Sequence, residues 1–210
     1  MQFMTSPQII LASASSRRRQ LLSQLGLEFT VALQNIDEIQ HPGEVPIDFV
    51  RRMAVEKVQA AQAALTDEAT SLVIGGDTVV VFKGSVLGQP EDKEDGLRML
   101  RLLSGKAHSV LTAVVVATLD KKRVSVSESK VKICRISEQE AEAYWQSREP
   151  VDKAGAYGIQ GLGAVFVKTL HGSYSGVMGL PLYETAKLLS EFGINCVTSF
   201  GADIEQRNTN

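Results

Sequence analysis

Short apolar runs alternate with stretches of helical spacing along the first third of the chain. Residues 8–12 form an apolar run that predicts a buried strand, and residues 17–24 carry helical spacing that ends before Gly26. Residues 27–33 predict a second strand, and in residues 48–65 apolar side chains recur every three or four positions, as on one face of a helix. The opening of the chain therefore predicts strand, helix, strand and helix in that order.

The rest of the chain continues the alternation but adds two long strands in succession. A β-branched run over residues 71–82 predicts a strand that Gly75-Gly76-Asp77 interrupts. The elements predicted after it are a short strand ending near Pro90, a helix over 92–103, a hairpin of strands 109–119 and 124–136, a helix from the capping box at Ser137 to Gln146, a strand over 164–170 and a last helix between Pro181 and Gly193. This pattern, which contains no internal repeat, predicts an α/β fold with a mixed sheet.

Composition narrows the class of protein. The chain is 44% hydrophobic and 22% charged, as ordinary globular proteins are, and its formal net charge is −2. No global positive field therefore exists to attract nucleic acid or a membrane, and any anion site must be local. The apolar runs are too short to span a bilayer and no basic segment precedes the first one, which predicts a cytoplasmic protein. Cys134 and Cys196 have no metal-site spacing and are expected to be free thiols.

The first segment with chemical potential is SASSRRR, residues 13–19, between the first strand and the first helix. Free backbone N–H groups and the helix dipole favour an anion at such a position, and guanidinium groups match phosphate oxygens. The segment therefore predicts a phosphate site. The alternative is a serine N-cap followed by arginines that are simply solvated on the helix surface.

The second segment is GGDT, residues 75–78, in which an apolar strand delivers the carboxylate of Asp77 behind two glycines. A carboxylate in such a run needs a partner, which a divalent metal, an arginine or a catalytic water would provide. The alternative is an aspartate that only turns the chain at the end of a strand. Asp37-Glu38 and Glu56-Lys57 add further carboxylates and an amine, although such pairs are more often solvated surface charges.

The third segment, DKAGAYGIQGLG over residues 152–163, has four glycines in nine residues. Such a loop brings backbone close to a ligand, and the amide of Gln160 can both donate to and accept from the edge of a base. The alternative is a flexible connector. The three histidines show no ligand spacing and are given no role.

Together these segments resemble the Maf family of nucleotide pyrophosphatases. The resemblance rests on LASASSRR over residues 11–18, Glu56-Lys57, GDT over 76–78, DKAGAYGIQG over 152–161 and GLP before the last helix, and it spans about residues 9–192. It implies a single domain over residues 1–210 that is two-lobed, with a cleft between the lobes. The implied fold is a mixed-sheet α/β fold similar to that of inosine triphosphate pyrophosphatases, paired as a homodimer.

The resemblance also implies an activity and a set of site residues. Asp77-Thr78 together with Gln160 is similar to the subgroup that cuts dTTP and UTP into the monophosphate and pyrophosphate, with Mg²⁺ or Mn²⁺ as cofactor. Position by position, it implies Asp77 as proton acceptor, Arg17, Thr78 and Gln160 for base specificity, Ser13, Arg18 and Lys57 for the phosphates, and Glu38 with Asp77 for the metal.

Two positions depart from the family pattern. Ser16 stands where the family usually has proline, and Gln89 stands where it usually has lysine. The second change removes a cation beside a triphosphate, which could cost on the order of 10²-fold in rate unless Arg18, Lys57 or Lys83 compensates. A nucleotide-binding regulator of cell division or septum formation with little catalysis is therefore the alternative function. A different phosphatase or a kinase is disfavoured, because the chain lacks a Walker A motif and its three histidines suggest no Ser-His-Asp arrangement.

Overall fold

The computed structural model describes residues 7–33, 36–65 and 71–198. Its strands are β1 Gln8–Ala12, β2 Thr30–Val31, β3 Ser71–Phe82, β4 Ser85–Leu87, β5 Ala107–Ala117, β6 Lys122–Ile133 and β7 Val167–His171. Its helices are α1 Ser16–Ser23, α2 Pro46–Ala63, α3 Lys93–Leu103, α4 Glu138–Gln146, α5 Tyr174–Met178 and α6 Leu182–Ser190. Short 3-10 turns cover Glu149–Asp152, Ala154–Ala156 and Gly161–Phe166.

The seven strands of the described residues form one mixed sheet in the order β2-β1-β3-β5-β6-β7, with β4 paired to β3. β1 pairs in parallel with β2 and β3, whereas the pairs from β3 through β5 and β6 to β7 are antiparallel. The predicted α/β fold with a mixed sheet, and the long hairpin within it, are confirmed.

β3 is the central strand and differs from its prediction. Residues 71–82 form one unbroken strand, which pairs with β5 from Val73 opposite Ala117 to Val81 opposite Ser109. The predicted interruption at Gly75-Gly76-Asp77 is therefore wrong. Both glycines are extended and serve close packing instead, since a methyl group at Gly75 would lie 2.5 Å from Cγ2 of Val58 on α2.

Buried apolar side chains cover the sheet in three clusters. One lies between α2 and the sheet, and a second lies on the opposite face beneath α1 and α6. The third joins the distal ends of β3 and β5 to α3 and α4, where Gly96 lets Trp145 approach the α3 backbone. Two helical layers thus enclose one end of the sheet and a separate helix pair covers the other, which gives the two lobes.

Several boundaries also differ from the sequence prediction. The second strand is limited to Thr30–Val31 rather than residues 27–33, and the strand predicted over 164–170 begins only at Val167, after a 3-10 turn. The short helix α5 precedes the predicted last helix. The capping box at Ser137 is confirmed, because Ser137 and Glu140 exchange the two hydrogen bonds that define it. No helix in the described parts of the chain is long and apolar enough to cross a membrane.

Candidate active site

A cleft of about 680 Å³ collects the eight residues to which the family resemblance assigns a role in the site. Its walls come from the turn between β1 and α1, the middle of β3, the face of α2 and the loop over residues 152–160. The eight candidates that line it are Ser13, Arg17, Arg18, Glu38, Lys57, Asp77, Thr78 and Gln160. Three segments far apart in sequence therefore meet at one cavity.

Asp77 and Lys57 form the buried centre of the cleft. Asp77 is 5% exposed in the middle of β3, so its carboxylate needs a charged or hydrogen-bonding partner. The Nζ atom of Lys57 lies 2.6 Å from Asp77 Oδ1 and 2.6 Å from Glu38 Oε1. One ammonium group therefore holds two carboxylates together, and the alternative that Asp77 only turns the chain is wrong because β3 continues beyond it.

The same two carboxylates fit a hard divalent ion. Magnesium and manganese prefer oxygen ligands, and magnesium is commonly held by one or two carboxylates plus substrate phosphates and water. Glu38 and Asp77 contribute only oxygen donors and already converge on one cation, Lys57. Within the described residues no group of three acidic, histidine or cysteine side chains gathers at one point. A metal here would therefore take its remaining ligands from a bound phosphate or from water.

Arg18 supplies a partly buried cation beside these carboxylates. Its Nε donates to the carbonyl of Gly179 at 2.8 Å, and its Nη atoms donate to Ser13 Oγ and Thr78 Oγ1, each at 3.2 Å. All three acceptors are neutral. Removal from water lowers the pKa of Arg18, an effect that the nearby carboxylates of Asp77 and Glu38 oppose. The guanidinium is thus fixed in place while its charge remains incompletely compensated, which favours an anion.

The first segment also contains the serine cap that the sequence allowed. The Ser15 hydroxyl accepts from the backbone N–H of Arg18, and α1 begins at Ser16. The alternative of a capped helix with solvated arginines holds for the exposed Arg19, but Arg17 and Arg18 both line the cleft. Capping and anion binding therefore occur in the same segment.

Thr78 is tied into a hydroxyl network behind Arg18. Its Oγ1 accepts from Arg18 and lies 3.0 Å from Oγ1 of Thr112 on β5. Thr112 in turn donates to the carbonyl of Gly176 at 2.7 Å. A hydroxyl group can donate only one proton, and Thr112 donates its proton to Gly176. The Thr78 hydroxyl therefore donates to Thr112 Oγ1 and accepts from Arg18, so both threonines help to position Arg18.

The glycine-rich loop faces Arg17 across the cleft. Arg17 Nη1 lies 3.0 Å from Asp152 Oδ2, and Nη2 also donates to the Asp152 carbonyl at 3.3 Å. Lys153 contacts the other carboxylate oxygen of Asp152 at 2.5 Å. Gln160 has extended backbone and lies on the same wall of the cleft. The loop thus joins α1 through a direct ion pair.

Gln89 lines the cleft without supplying a charge. Among the cations expected to compensate, Arg18 and Lys57 line the cleft but Lys83 does not; its ammonium lies over the Phe82 ring. Lys153, which belongs to the glycine-rich segment but had no predicted role, is a further cation on the wall. The cleft therefore retains several cationic side chains although Gln89 is neutral.

Sequence reasoning missed four polar residues that build the site: Thr112, His108, Tyr144 and Glu149. His108 Nε2 lies 2.7 Å from the Tyr157 hydroxyl, and Tyr157 lines the cleft. The only local signal was the position of Glu149, an acid next to a proline just before the glycine-rich segment. The other contacts join residues distant in sequence and leave no pattern in any one window.

Comparison with known proteins agrees with the geometry. Residues 8–192 match the family model described as Maf-like protein. A dTTP/UTP pyrophosphatase of Shewanella sp. (strain MR-7) is 48% identical over 191 residues, covering 89% of this chain and 98% of that protein. A dTTP/UTP pyrophosphatase of Hahella chejuensis (strain KCTC 2396) is 48% identical over 186 residues, covering 89% of this chain and 92% of its own length.

Among solved structures, the Staphylococcus aureus Ham1 protein aligns with a TM-score of 0.43 at 15% identity, covering 60% of this chain and 71% of its own. A superposition this limited does not define the fold, which the strand order and pairing define directly. The family match covers β1 through α6 and every residue of the cleft. The chain belongs to the Maf-like protein family.

Proposed function

We propose that this chain hydrolyses the α–β phosphoanhydride bond of dTTP and UTP and releases the nucleoside monophosphate and pyrophosphate. The observation that carries the proposal is the convergence of Asp77, Lys57 and Glu38 beside the partly buried guanidinium of Arg18 in one cleft. The names of the relatives support this substrate class, since proteins 48% identical over most of their length are dTTP/UTP pyrophosphatases.

Asp77 is the proposed proton acceptor. Its carboxylate is held in the rigid centre of the sheet, and a water molecule beside it would lose its proton to Asp77 as it attacks the α-phosphorus. Glu38 and Asp77 are the proposed ligands of Mg²⁺ or Mn²⁺. When bound, such an ion neutralises charge on the phosphate oxygens and favours the attacking water.

Ser13, Arg18 and Lys57 are the proposed phosphate-binding residues. Arg18 is already positioned by Gly179 and Thr78, so little side-chain entropy is lost when a phosphate arrives. Lys57 bridges the two carboxylates at the centre of the cleft, and its ammonium is the group that would contact a phosphate oxygen there. The contribution of the protein is thus mainly positioning and charge stabilisation.

Arg17, Thr78 and Gln160 are the proposed determinants of base specificity. The amide of Gln160 can donate to and accept from the edge of a pyrimidine. Arg17 lines the same cleft from α1 and is held by its hydrogen bond to Asp152. The proposed role of Thr78 is indirect, because its hydroxyl is hydrogen-bonded to Arg18 and Thr112.

The test is pyrophosphate release by the purified protein from a panel of dTTP, UTP, CTP, dCTP, GTP, ITP and ATP, with Mg²⁺ or Mn²⁺. We expect turnover of dTTP and UTP, loss of that turnover with a chelator, and a loss of at least about 10²-fold in Asp77→Asn. Full activity in Asp77→Asn would contradict the role of Asp77.

A nucleotide-binding regulator of cell division or septum formation is the second candidate, and the neutral side chain of Gln89 on the cleft wall favours it. It predicts that the protein binds triphosphates with negligible turnover and that Gln89→Lys restores catalysis. Turnover of dTTP by the unaltered protein, with less than about 10-fold gain in Gln89→Lys, would exclude this candidate.

We further propose that the protein acts in the cytoplasm as a homodimer and binds neither nucleic acid nor membranes. The free thiols of Cys134 and Cys196 fit a reducing compartment, and the net charge of −2 gives no general attraction to polyanions. Light scattering coupled to size exclusion measures the oligomeric state directly. A mass of a single chain across the working concentration range would contradict the dimer.

A further inference from the structure

The carboxylate of Glu149 organises the glycine-rich segment from within. Its Oε1 accepts from the backbone N–H of Gly163 at 2.9 Å, and its Oε2 accepts from the N–H of Leu162 at 2.7 Å. Two successive amides therefore converge on one carboxylate, an arrangement in which both oxygens are used. The backbone after Gln160 is fixed by these bonds.

Tyr144 extends the same clamp to the other side of Gln160. Its hydroxyl donates to Glu149 Oε1 at 2.8 Å and accepts from the N–H of Gly158 at 3.0 Å, while the side chain is only 1% exposed. Gln160 is thus held between two anchored points, Gly158 before it and Leu162-Gly163 after it.

The glycines of the segment make room for this clamp. A methyl group at Gly161, where φ is +74°, would lie 2.4 Å from Glu149 Oε2, and one at Gly163 would lie 2.3 Å from the Tyr144 hydroxyl. At Gly158 the distance to Glu149 Oε1 would be 3.0 Å. The glycines therefore permit close approach of the carboxylate, and the alternative that this segment is a flexible connector is wrong.

The turn that begins at Glu149 also carries the partner of Arg17. Asp152 lies at the end of the same 3-10 turn, and its carboxylate contacts Arg17 across the cleft. Lys153 ties the turn together by donating to the Glu149 carbonyl at 3.0 Å while contacting Asp152. Arg17 and Gln160 are therefore both positioned relative to Glu149, although they belong to opposite walls.

We propose that Glu149 is a positioning residue whose carboxylate, together with the Tyr144 hydroxyl, determines base discrimination by fixing Gln160. The turn that holds Arg17 is supported by the backbone carbonyl of Glu149. The inference deepens the proposed function and depends on it for the identity of the ligand. Glu149 does not line the cleft, so it acts on a nucleotide only through the loop. An amide in its place would direct its NH₂ group at a backbone N–H, which turns one of the bonds into a repulsion.

The experiment compares Glu149→Gln with a matched control, Glu142→Gln, which removes an exposed carboxylate of α4 paired with Lys93. We measure kcat and KM for dTTP and for ATP, and the inhibition constant of inorganic tripolyphosphate, which has phosphates but no base. In Glu149→Gln we expect the KM for dTTP to rise about 10-fold and the preference for dTTP over ATP to fall by a similar factor. Tripolyphosphate inhibition should change less than about 2-fold. The control should match the unaltered protein in all three.

Tyr144→Phe removes only the hydroxyl and keeps the ring. That ring packs edge-on against Phe166, with 5.2 Å between the two ring centroids. It provides the test should Glu149→Gln fail to fold, with an expected rise in KM for dTTP of about 3-fold and unchanged tripolyphosphate inhibition. An unchanged preference for dTTP in a folded variant overturns the inference. Equal weakening of dTTP and tripolyphosphate also overturns it, because that result indicates general damage to the cleft.

The proposed function and this inference can fail separately. Absence of turnover in the unaltered protein would refute the pyrophosphatase activity but leave binding of dTTP and tripolyphosphate measurable by calorimetry without metal. Under that outcome, weaker dTTP binding in Glu149→Gln at constant tripolyphosphate affinity still supports the positioning role, and equal affinities for dTTP in the two proteins reject it.

Discussion

At the scale of single residues, His108 is a buried base with an unusual set of contacts. Its Nε2 lies 2.7 Å from the Tyr157 hydroxyl, and its Nδ1 has no hydrogen-bond partner among the residues that the structure describes. Burial lowers the pKa of His108 to about 4, so the ring is neutral at neutral pH. A histidine in the unfolded chain has a pKa of about 6.5. As the pH falls below that value, His108 is protonated in the unfolded chain but stays neutral in the folded protein, which favours unfolding.

We therefore predict that His108 makes the fold sensitive to mild acid. Between pH 7.5 and pH 5 its contribution should lower the free energy of unfolding by about 2 kcal/mol, and the loss should level off near the folded pKa. His108→Gln, whose amide can still reach Tyr157, should show a smaller decline. Urea denaturation of both proteins at the two pH values measures this difference, and identical declines would contradict the prediction.

The site residues divide by whether a short sequence motif marks them. Asp77, Arg18 and Gln160 could be predicted because each stands in a short motif whose residue types already specify a chemistry. Thr112, Tyr144 and Glu149 could not, because they stand in no such motif and contribute through hydrogen bonds that only the fold reveals. A hydroxyl or carboxylate with a distant partner has the same sequence appearance as one exposed to solvent.

At the scale of elements, the contact between β3 and α2 sets the geometry of the charged centre. Gly75 lies against Val58, and their neighbours Asp77 and Lys57 form the 2.6 Å ion pair. Packing and charge pairing are therefore determined by the same two elements, and a change in their separation would move the ammonium away from the carboxylate.

We predict that Gly75→Ala destabilises the protein by about 1–3 kcal/mol through overpacking and lowers pyrophosphate release together with it. Val58 would have to move, and Lys57 with it. The double variant Gly75→Ala/Val58→Ala removes the clash and should recover part of both losses. Chemical denaturation and turnover of the three variants form the cycle, and strictly additive losses would show that the two residues do not interact.

The continuity of β3 shows why the sequence misplaced an element boundary. Glycine pairs usually end strands, and Gly75-Gly76 was interpreted in that way. In the fold, Gly75 lies between Ala12 of β1 and Val115 of β5, and Gly76 is paired with Val114 of β5. These cross-strand partners override the local preference. By contrast, the helices α2, α3 and α4 were predicted nearly to their ends, since apolar spacing and caps are local signals.

At the scale of the whole molecule, Arg17 and Asp152 form an ion pair that spans the cleft. The Asp152 side chain is 63% exposed, so water screens the pair and its contribution to stability should be only about 0.2–1 kcal/mol. Its importance is geometric, because it joins α1 of one wall to the loop of the other.

We predict that Asp152→Asn changes the melting temperature by less than about 3 °C and raises the KM for dTTP about 2- to 5-fold, since Arg17 loses its anchor. Glu191→Gln, which breaks the comparably exposed pair with Arg123, is the control and should leave the KM unaltered. Scanning calorimetry and steady-state kinetics provide both values. A large loss of stability with no change in KM would show that the Arg17–Asp152 pair stabilises the fold and does not position Arg17 for substrate binding.

The mixed sheet as a class was predictable from the alternation of strands and helices, but the strand order was not. β5 pairs with β3 although α3 lies between them in the sequence. No local sequence pattern indicates which strand of the sheet the β5–β6 hairpin will join. The cleft depends on that order, because Asp77 and Thr78 of β3 and Val110 of β5 line it together.

The unbroken course of β3, β5 and β6 has a consequence for kinetics. These strands pass through both lobes and remain paired over most of their length, so the two lobes share one continuous sheet. We expect this shared sheet to oppose wide closure of the lobes on the millisecond scale. We expect entry and product departure to depend on side-chain and loop rearrangements in nanoseconds to microseconds, as at a preformed site.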